Sequence, residues 1–371
     1  MTDHSNCITG GKVTIKDISA KLGISSTTVH RALAGKEGMT DALRQKILDT
    51  AHEMGYETNY AAASIKRRTL RIAVVVPQDD GCYFANIWKG VNECAGEARR
   101  LNIDVEACVC DDEHHEYQIL KSIADAGPKE YAGVVAYSYS RMPEVMMQLQ
   151  RLIALEIKTI IIDDIITEPE GIFCVPAYQT YVGELAAEIT TTITPDEGTI
   201  IVTEGRTDSW AHTEKLQAYK EYLSRTKPGL KVLTVAGYPK TEDAASVVRE
   251  NILQAFEEHE DIVLYYAQTS LDTQLAVEVF RELDGSRKFS RIGTDLNRYT
   301  SQYLRNEELT LVIDQGAYMK GYMGLNALVD SLVKHIKPEP YIDIVLDVVY
   351  RSNLRFYERT KKLYDNGGRS K

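Results

Sequence analysis

Residues 13–33 read VTIKDISAKLGISSTTVHRAL. The spacing predicts two short helices joined by a tight turn. Thr14 stands where a helix cap belongs, with Asp17 three residues on and its carboxylate near the positive helix end. Ile15, Ile18 and Leu22 recur at helical spacing and give one apolar face. Gly23 ends this helix, because glycine takes the left-handed conformation at little cost. Ser25 caps the second helix, whose Val29 and Leu33 turn inward. Paired helices on a glycine turn fit two readings: an ordinary helical hairpin with a solvated polar face, or the helix-turn-helix pattern. On the second reading, the start of the second helix meets base edges in the DNA major groove. Ser26 and Thr27 are then in reach, and Arg31 can bond guanine in a bidentate way.

The surrounding residues extend the pattern. VTIKDIS-x3-GIS-x2-TV-x-RAL is followed by a Gly35-Lys36 turn, a third helical stretch and MGYETN. Over about fifty residues this order and spacing resembles the LacI/GalR family of bacterial repressors. The resemblance implies DNA contacts from Thr14, Ser25, Ser26, Thr27, Thr28, His30 and Arg31. His30 stands where the family usually has Ser, and Ala34 where it has Asn. A histidine can still donate to a phosphate, with a charge that varies near neutral pH; an alanine cannot.

A third helix is expected over residues 41–55, capped by Thr40, with Leu43, Ile47, Ala51 and Met54 inward. Residues 59–69, NYAAASIKRRT, permit a helix but carry too little apolar surface to hold one alone. In the family the matching hinge segment folds on DNA, and a pair of hinge helices across a dimer wedges a leucine into the minor groove. Ile65 matches that leucine, and Asn59, Lys66 and Arg67 complete the implied DNA-contacting set. Lys66, Arg67 and Arg68 read either as phosphate contacts or as a solvated linker.

The whole chain of 371 residues carries a net charge of −11 and is 44% hydrophobic, which suits two or three globular domains and excludes general disorder. The charge is unevenly spread. Residues 1–71 hold 11 Lys and Arg against 7 Asp and Glu, a net +4, and the remaining 300 hold 32 against 47, a net −15. A basic head on an acidic body fits DNA contact through one end. No run of 18 apolar residues exists, so no membrane-spanning helix is expected. The first twelve residues, MTDHSNCITGGK, read as a disordered tail without a signal-peptide core, and a cytoplasmic setting is expected. The six cysteines (Cys7, Cys82, Cys94, Cys108, Cys110, Cys174) are scattered and expected to be reduced.

From Arg71 the pattern changes. RIAVVVP is a β-branched run of the kind that forms a buried parallel strand. Helices are expected over 85–101, 116–126 and 143–155, alternating with strands over 104–110, 133–137 and 158–163. After a break near 168–176 the alternation resumes, with helices at 181–192, 213–225, 242–257 and 272–283. Its strands fall at 198–203, 232–236, 262–266 and 291–294. The fold class is therefore an all-α three-helix helix-turn-helix head followed by an α/β body of two doubly wound parallel-sheet lobes. The expected domains are a head at 13–58, a hinge at 59–70, an effector-binding and dimerisation body at 71–358 and a basic tail at 359–371. This matches the periplasmic-binding-protein-like (type I) body of the LacI family, in which the chain crosses between lobes three times. The crossings are placed near Cys174, Asp295 and Leu328, giving a first lobe of 71–174 plus 296–327 and a second of 175–295 plus 328–358. The final stretch, YIDIVLDVVYRSNLRFYE, resembles the family's last strands.

Ligands of such sheets bind at the carboxyl ends of the strands. There the resemblance implies an effector site from Tyr83, Phe84, Asp163 or Asp164, Gln268, Asp295 and Gln315, with Gly321 also matching. Lys215 replaces a ligand-gripping arginine, keeping the charge and losing the bidentate fork. VPAYQTYVG stands where an acidic-amide pair usually precedes Gly183, and Gln268-Thr269 where Asn-Asp is usual. These replacements count against a small neutral sugar bound in the family's usual way, and leave open a different sugar, a sugar acid or sugar phosphate, or a site with little affinity. Trp210 reads either as a stacking platform or as a packing residue.

No Walker loop or nucleophile elbow is present, so neither an enzyme nor a cofactor is expected. The run DDEHHE at 111–116 precedes a helix and reads as a solvated, negatively charged first turn in preference to a metal site. The expected function is a DNA-binding transcriptional regulator, a repressor controlled by a sugar-like effector. Its expected partners are a second copy of itself and a near-palindromic double-stranded operator. The alternative is a small-molecule sensor module that does not act on DNA.

Overall fold

The computed structural model describes residues 13–33, 38–56, 60–64, 67–137, 142–207, 209–239, 241–283, 285 and 287–358. The chain divides into two compact units, with the second beginning at Arg67.

The first unit contains α1 (Ile15–Leu22), α2 (Ser26–Leu33), α3 (Asp41–Glu53) and the single turn α4 (Tyr60–Ser64). The Asp17 carboxylate accepts from both the Thr14 backbone N–H (2.8 Å) and the Thr14 hydroxyl (2.7 Å), so the acid holds the start of α1. Gly23 ends α1 at φ +66°, a conformation that favours glycine. Ser25 Oγ accepts from the Thr28 N–H at 3.1 Å at the start of α2, and Thr40 accepts from Leu43 N–H at 3.4 Å on α3. Ile18, Val29, Ala32, Ile47 and Ala51 form the buried core of these three helices. It is small, and Leu22, Leu33, Leu43 and Met54 only partly cover it.

The second unit is the α/β body. Its first half runs β1 (Leu70–Pro77), α5 (Tyr83–Ala98), β2 (Ile103–Cys110), α6 (Glu113–Ala126), β3 (Gly133–Tyr137), α7 (Pro143–Ala154), β4 (Lys158–Ile162) and β5 (Ile172–Val175). These strands form a parallel sheet in the order β2-β1-β3-β4-β5. The stretch expected to be a break thus contains β5. Its four residues IFCV are too short to show periodicity, but all lie buried or half-buried at the sheet edge.

The second half runs α8 (Gln179–Ile193), β6 (Gly198–Thr203), α9 (Trp210–Thr226), β7 (Leu230–Val235), α10 (Glu242–Glu258), β8 (Ile262–Ala267), α11 (Ser270–Phe280), β9 (Ser290–Thr294), α12 (Arg298–Arg305) and β10 (Leu311–Asp314). Then α13 (Ala317–Val333) and β11 (Asp347–Val349) complete it, and the second sheet has the order β11-β10-β9-β8-β6-β7. All its pairs are parallel except β10 with β11.

Two expected crossings move. The chain passes from β5 to α8 around residues 176–178, close to the expected first crossing. Residues 296–314 stay with the second lobe: β10 pairs with β9, and Leu296, Tyr303, Leu304 and Val312 join that lobe's core. The second crossing lies at Gln315-Gly316, after which α13 packs on α5 and on β3 to β5 of the first lobe. The third comes after Ile342, not at Leu328, because residues 340–342 still bond to Cys174 at the first sheet's edge. Beyond it, among the described residues, the stretch that resembles the family's last strands holds the short strand β11.

Glycines set how closely the covering helices approach. A Cβ on Gly90 would fall 2.1 Å from the Tyr318 carbonyl oxygen, and one on Gly321 would fall 2.2 Å from that of Ile87. The α5–α13 pair therefore touches backbone to backbone at both positions. Gly183 does the same for α8 against α9, at 2.2 Å from the Lys215 oxygen.

Candidate functional site

The carboxyl ends of both sheets face one another across a cleft of about 80 Å³, room for several waters or one small ligand. The first lobe supplies Asp80, Tyr83, Phe84, Tyr137 and Asp163, and the second supplies Gln179, Arg206, His212, Lys215, Tyr238, Gln268, Ser270 and Asp295, with Gln315 on the crossing strand. Asp163 follows β4 and Asp295 follows β9, at φ +75° and +62°. These left-handed turns, uncommon for residues with a Cβ, aim both carboxylates off the strand ends. The Asp163 N–H is held by the Val175 carbonyl and the Asp295 N–H by that of Ile313, each at 2.8 Å.

Each carboxylate sits in its own network. Tyr83 Oη donates to Asp163 Oδ1 at 2.6 Å, and Lys320 Nζ donates to the same oxygen at 2.5 Å and to Tyr83 Oη at 2.9 Å. Lys320 is 1% exposed. Burial alone would raise the Asp163 carboxyl, but the ammonium of Lys320 and the bonds from Lys320 and Tyr83 hold it below its ordinary range. In the second lobe Ser270 Oγ donates to Asp295 Oδ2 (2.7 Å) and Gln315 Nε2 to Oδ1 (2.9 Å). Burial, aided by the charge of Asp314, pushes Asp295 up to about 6. Burial likewise pushes Asp272 up to about 6; it accepts from Thr269 Oγ1 at 2.8 Å behind the cleft wall. Lys215 is 2% exposed and its Nζ donates to the Gln268 carbonyl at 3.0 Å. Burial lowers its pKa against the opposing pull of Asp295 and Asp163.

The aromatic wall is Phe84 set edge-on between Tyr83 (5.5 Å) and Tyr137 (5.1 Å). Among the described residues, polar contacts between the lobes include Arg206 to Glu113 at 3.2 Å, Gln274 Nε2 to Cys82 Sγ at 2.6 Å, and Asn86 Nδ2 to the Leu296 oxygen at 3.0 Å.

Tyr83, Phe84, Asp163, Lys215, Gln268, Asp295 and Gln315 are therefore brought together, and Asp163 rather than Asp164 faces the cleft. Trp210 is not: it begins α9, is 43% exposed and lies outside the lining, where Ser209, Ala211 and His212 stand instead. Gly321 serves the α5–α13 contact. Lys320, Gln179 and Arg206 were not anticipated. For Lys320 the signal was a lone lysine in the small and apolar run AYMKGYMGLNALV. Glu116, expected in a solvated turn, is 1% exposed, while Asp112 caps α6 through the His115 N–H at 2.7 Å. No cluster able to hold a metal occurs among the described residues.

In the first unit Ser25, Ser26, Thr27, His30 and Arg31 are exposed on and beside α2, Thr28 is half-buried, and the Thr14 hydroxyl is bonded to Asp17. Ala34, Asn59, Ile65 and Lys66 lie outside the described residues, as do residues 1–12 and the tail from 359. Arg67 does not stand ready for phosphate: its guanidinium donates to the Leu101 carbonyl at 2.8 Å, and its own carbonyl accepts from Asn102 at 2.7 Å. Arg68 likewise donates to the Lys129 carbonyl.

Two lobes, each built on a sheet of mainly parallel strands and joined by three crossings, with carboxylates, amides and aromatic rings converging between them, define a two-lobed body with a polar cleft. The family description of the periplasmic binding protein domain matches residues 72–335, and the chain belongs to that family. A relative is the HTH-type transcriptional regulator DegA of Bacillus subtilis, 28% identical over 125 residues, which are 33% of this chain and 36% of that one. The chain spans well under half the length of the curated relatives it matches first. The fold is also that of a protein described as a LacI transcriptional regulator from Bacteroides fragilis (TM-score 0.69, 18% identity, 78% of this chain and 100% of that one). It is shared with GanP, a glucose-galactose binding protein of Geobacillus stearothermophilus (TM-score 0.66, 17% identity, 78% and 99%). The LacI/GalR resemblance read from the head agrees with these relatives. No helix among the described residues is long and apolar enough to cross a membrane.

Proposed function

We propose that this protein is a transcriptional regulator whose three-helix head, residues 13–58, is a helix-turn-helix reader of DNA and whose body binds a small effector. The observation that carries the reading is the union on one chain of a compact three-helix unit, exposing Ser26, Thr27 and Arg31 along α2, with a cleft-bearing binding body. The regulator relatives and the basic head support it. Ser26, Thr27 and Arg31 read base edges, with Ser25, Thr28 and His30 beside them. Residues 59–70 form the hinge, with Arg67 holding it to the body through the Leu101 carbonyl. A cytoplasmic homodimer presents two heads about 34 Å apart on a near-palindromic operator. A sugar-like effector held by Asp163, Lys215, Gln268 and Asp295 changes lobe closure, and so shifts the balance between DNA-competent and incompetent states. Repression relieved by the effector is the direction proposed. On this reading the cleft binds and does not catalyse.

Selection of duplexes from a random library on the full chain tests this. An enriched, near-palindromic sequence whose binding weakens steeply with salt is expected. Absence of any salt-sensitive binding would select the other reading, a sensor module without DNA, which the sugar-binding fold neighbour favours for the body.

A further inference from the structure

Apart from the cleft, the body has a groove of about 390 Å³ where two lobe crossings meet. The crossing at Gln315-Gly316 and the one after Ile342 touch there: a Cβ on Gly316 would fall 2.4 Å from Ile344 Cγ2. The wall is apolar and open to solvent. Met319 is 37% exposed and Val345 74%, with Met323 and Ile344 half-buried beside them. The charged groups have one sign. Asp314, Asp343 and Asp347 line the groove, and among the described residues no Lys, Arg or His does. Neutral groups donate to these acids: Tyr178 Oη to Asp343 at 2.7 Å, Tyr357 Oη to Asp347 at 3.2 Å and the Leu296 N–H to Asp314 at 3.1 Å. A hydroxyl or an amide bonds a carboxylate without cancelling its charge. The complement stands next in the chain. Tyr357 lines the groove, and Glu358 is held at its edge by Arg305. Residues 359–364 then read RTKKLY, three cations without an acid and a closing apolar pair. Six extended residues span about 20 Å, enough to cross a groove of this size.

We propose that residues 359–364 dock in this groove of their own chain, with Arg359, Lys361 and Lys362 set against Asp314, Asp343 and Asp347, and Leu363 and Tyr364 covering Met319, Met323 and Val345. Exposed ion pairs are individually weak. Here a tether of a few residues supplies an effective concentration on the order of millimolar, which a separate basic peptide lacks. Covering the methionines and the valine adds apolar burial. The crossings are covalent links between the lobes, so a segment docked across two of them opposes any change in the lobes' relative setting. It also reaches the cleft through charge: Asp314 helps to raise Asp295, and a cation beside Asp314 offsets that influence.

The test is photo-cross-linking of the full chain with p-benzoylphenylalanine in place of Tyr364, irradiated at micromolar protein and mapped by mass spectrometry. A cross-link within one chain to Met319, Met323 or Val345 is expected. Lys361→Glu with Lys362→Glu, changes that lie outside the folded core, should lower its yield about tenfold, and salt on the order of 0.5 M should lower it too. In the same double variant the backbone amides of residues 343–347 should exchange with deuterium several-fold faster than in wild type. A cross-link only to other parts of the body, or none, would overturn the proposal. So would a yield indifferent to charge reversal and salt, or equal exchange in the two proteins. A cross-link between chains that grows with protein concentration would give the groove to a second copy and overturn docking within one chain.

Discussion

Replacing Lys320 by Met isolates a deeply buried ion pair of the body. Lys320 and Asp163 have side chains 1% and 10% exposed, with N–O at 2.5 Å. Removing one partner of a buried pair costs about 3–5 kcal/mol, because the other charge is left uncompensated. At about 2 °C per kcal/mol, the low end of the range for domains of 150–250 residues, the Tm falls by roughly 6–10 °C. The pH dependence carries the diagnostic sign. In wild type the Asp163 carboxyl is held low, so the stability it contributes is present above the unfolded carboxylate range and is lost as pH falls through its folded-state pKa. Without Lys320 the remaining influence of burial raises the carboxyl, and the folded state then gains as pH falls. The gap between wild type and Lys320→Met should therefore narrow from pH 8 to pH 5 in scanning calorimetry. Asp163→Asn in the same chain should restore most of the loss, since the stranded charge is gone. A variant melting within a degree or two of wild type, a gap independent of pH, or a double variant as unstable as the sum of the singles would refute this account.

Asp295 carries the opposite sign. With a folded-state pKa of about 6, it favours folding as pH falls and disfavours it above, by on the order of 3 kcal/mol at most. Asp295→Asn should flatten the decline in Tm between pH 5 and pH 7.5; an unchanged slope would count against the assignment. Gly321→Ala places a methyl 2.2 Å from the Ile87 oxygen, and the backbone shift should cost about 1–3 kcal/mol by urea denaturation at unchanged m-value. Arg31→Ala should weaken binding to the selected duplex by about 1–3 kcal/mol in fluorescence anisotropy and flatten its sequence preference; an unchanged preference would remove Arg31 from the recognition set.

Much of the architecture was legible because buried parallel strands announce themselves. RIAVVVP and GTIIVT are β-branched runs that need burial on both faces, and they became β1 and β6. IFCV was not legible, since four residues between a Gly and a Pro show no period. The lobe crossings were misplaced because pairing, not local pattern, decides which sheet owns β10. Asp163 and Asp295 were readable as acids closing apolar strands. Gln179 and Arg206 reach the cleft from separate segments and nothing in their neighbours marks them, whereas Lys320, bonded to Asp163, was marked as a lone lysine in a small and apolar run. Trp210 and Lys215 show the limit on one helix. Five residues apart, they differ by about 140° around the axis, so only one of them can face inward. The sequence could not say which; the structure buries the lysine and exposes the tryptophan.

On the proposed function, the head and the cleft are thermodynamically coupled. The direct measurement is anisotropy of the selected duplex on the full chain, without and with a saturating amount of a sugar that raises its Tm, paired with titration of that sugar into free and duplex-bound protein. The sugar is expected to weaken duplex binding about 5- to 150-fold and the duplex to weaken sugar binding by the same factor, as linkage requires. Duplex affinity that is unchanged at saturating sugar would contradict it.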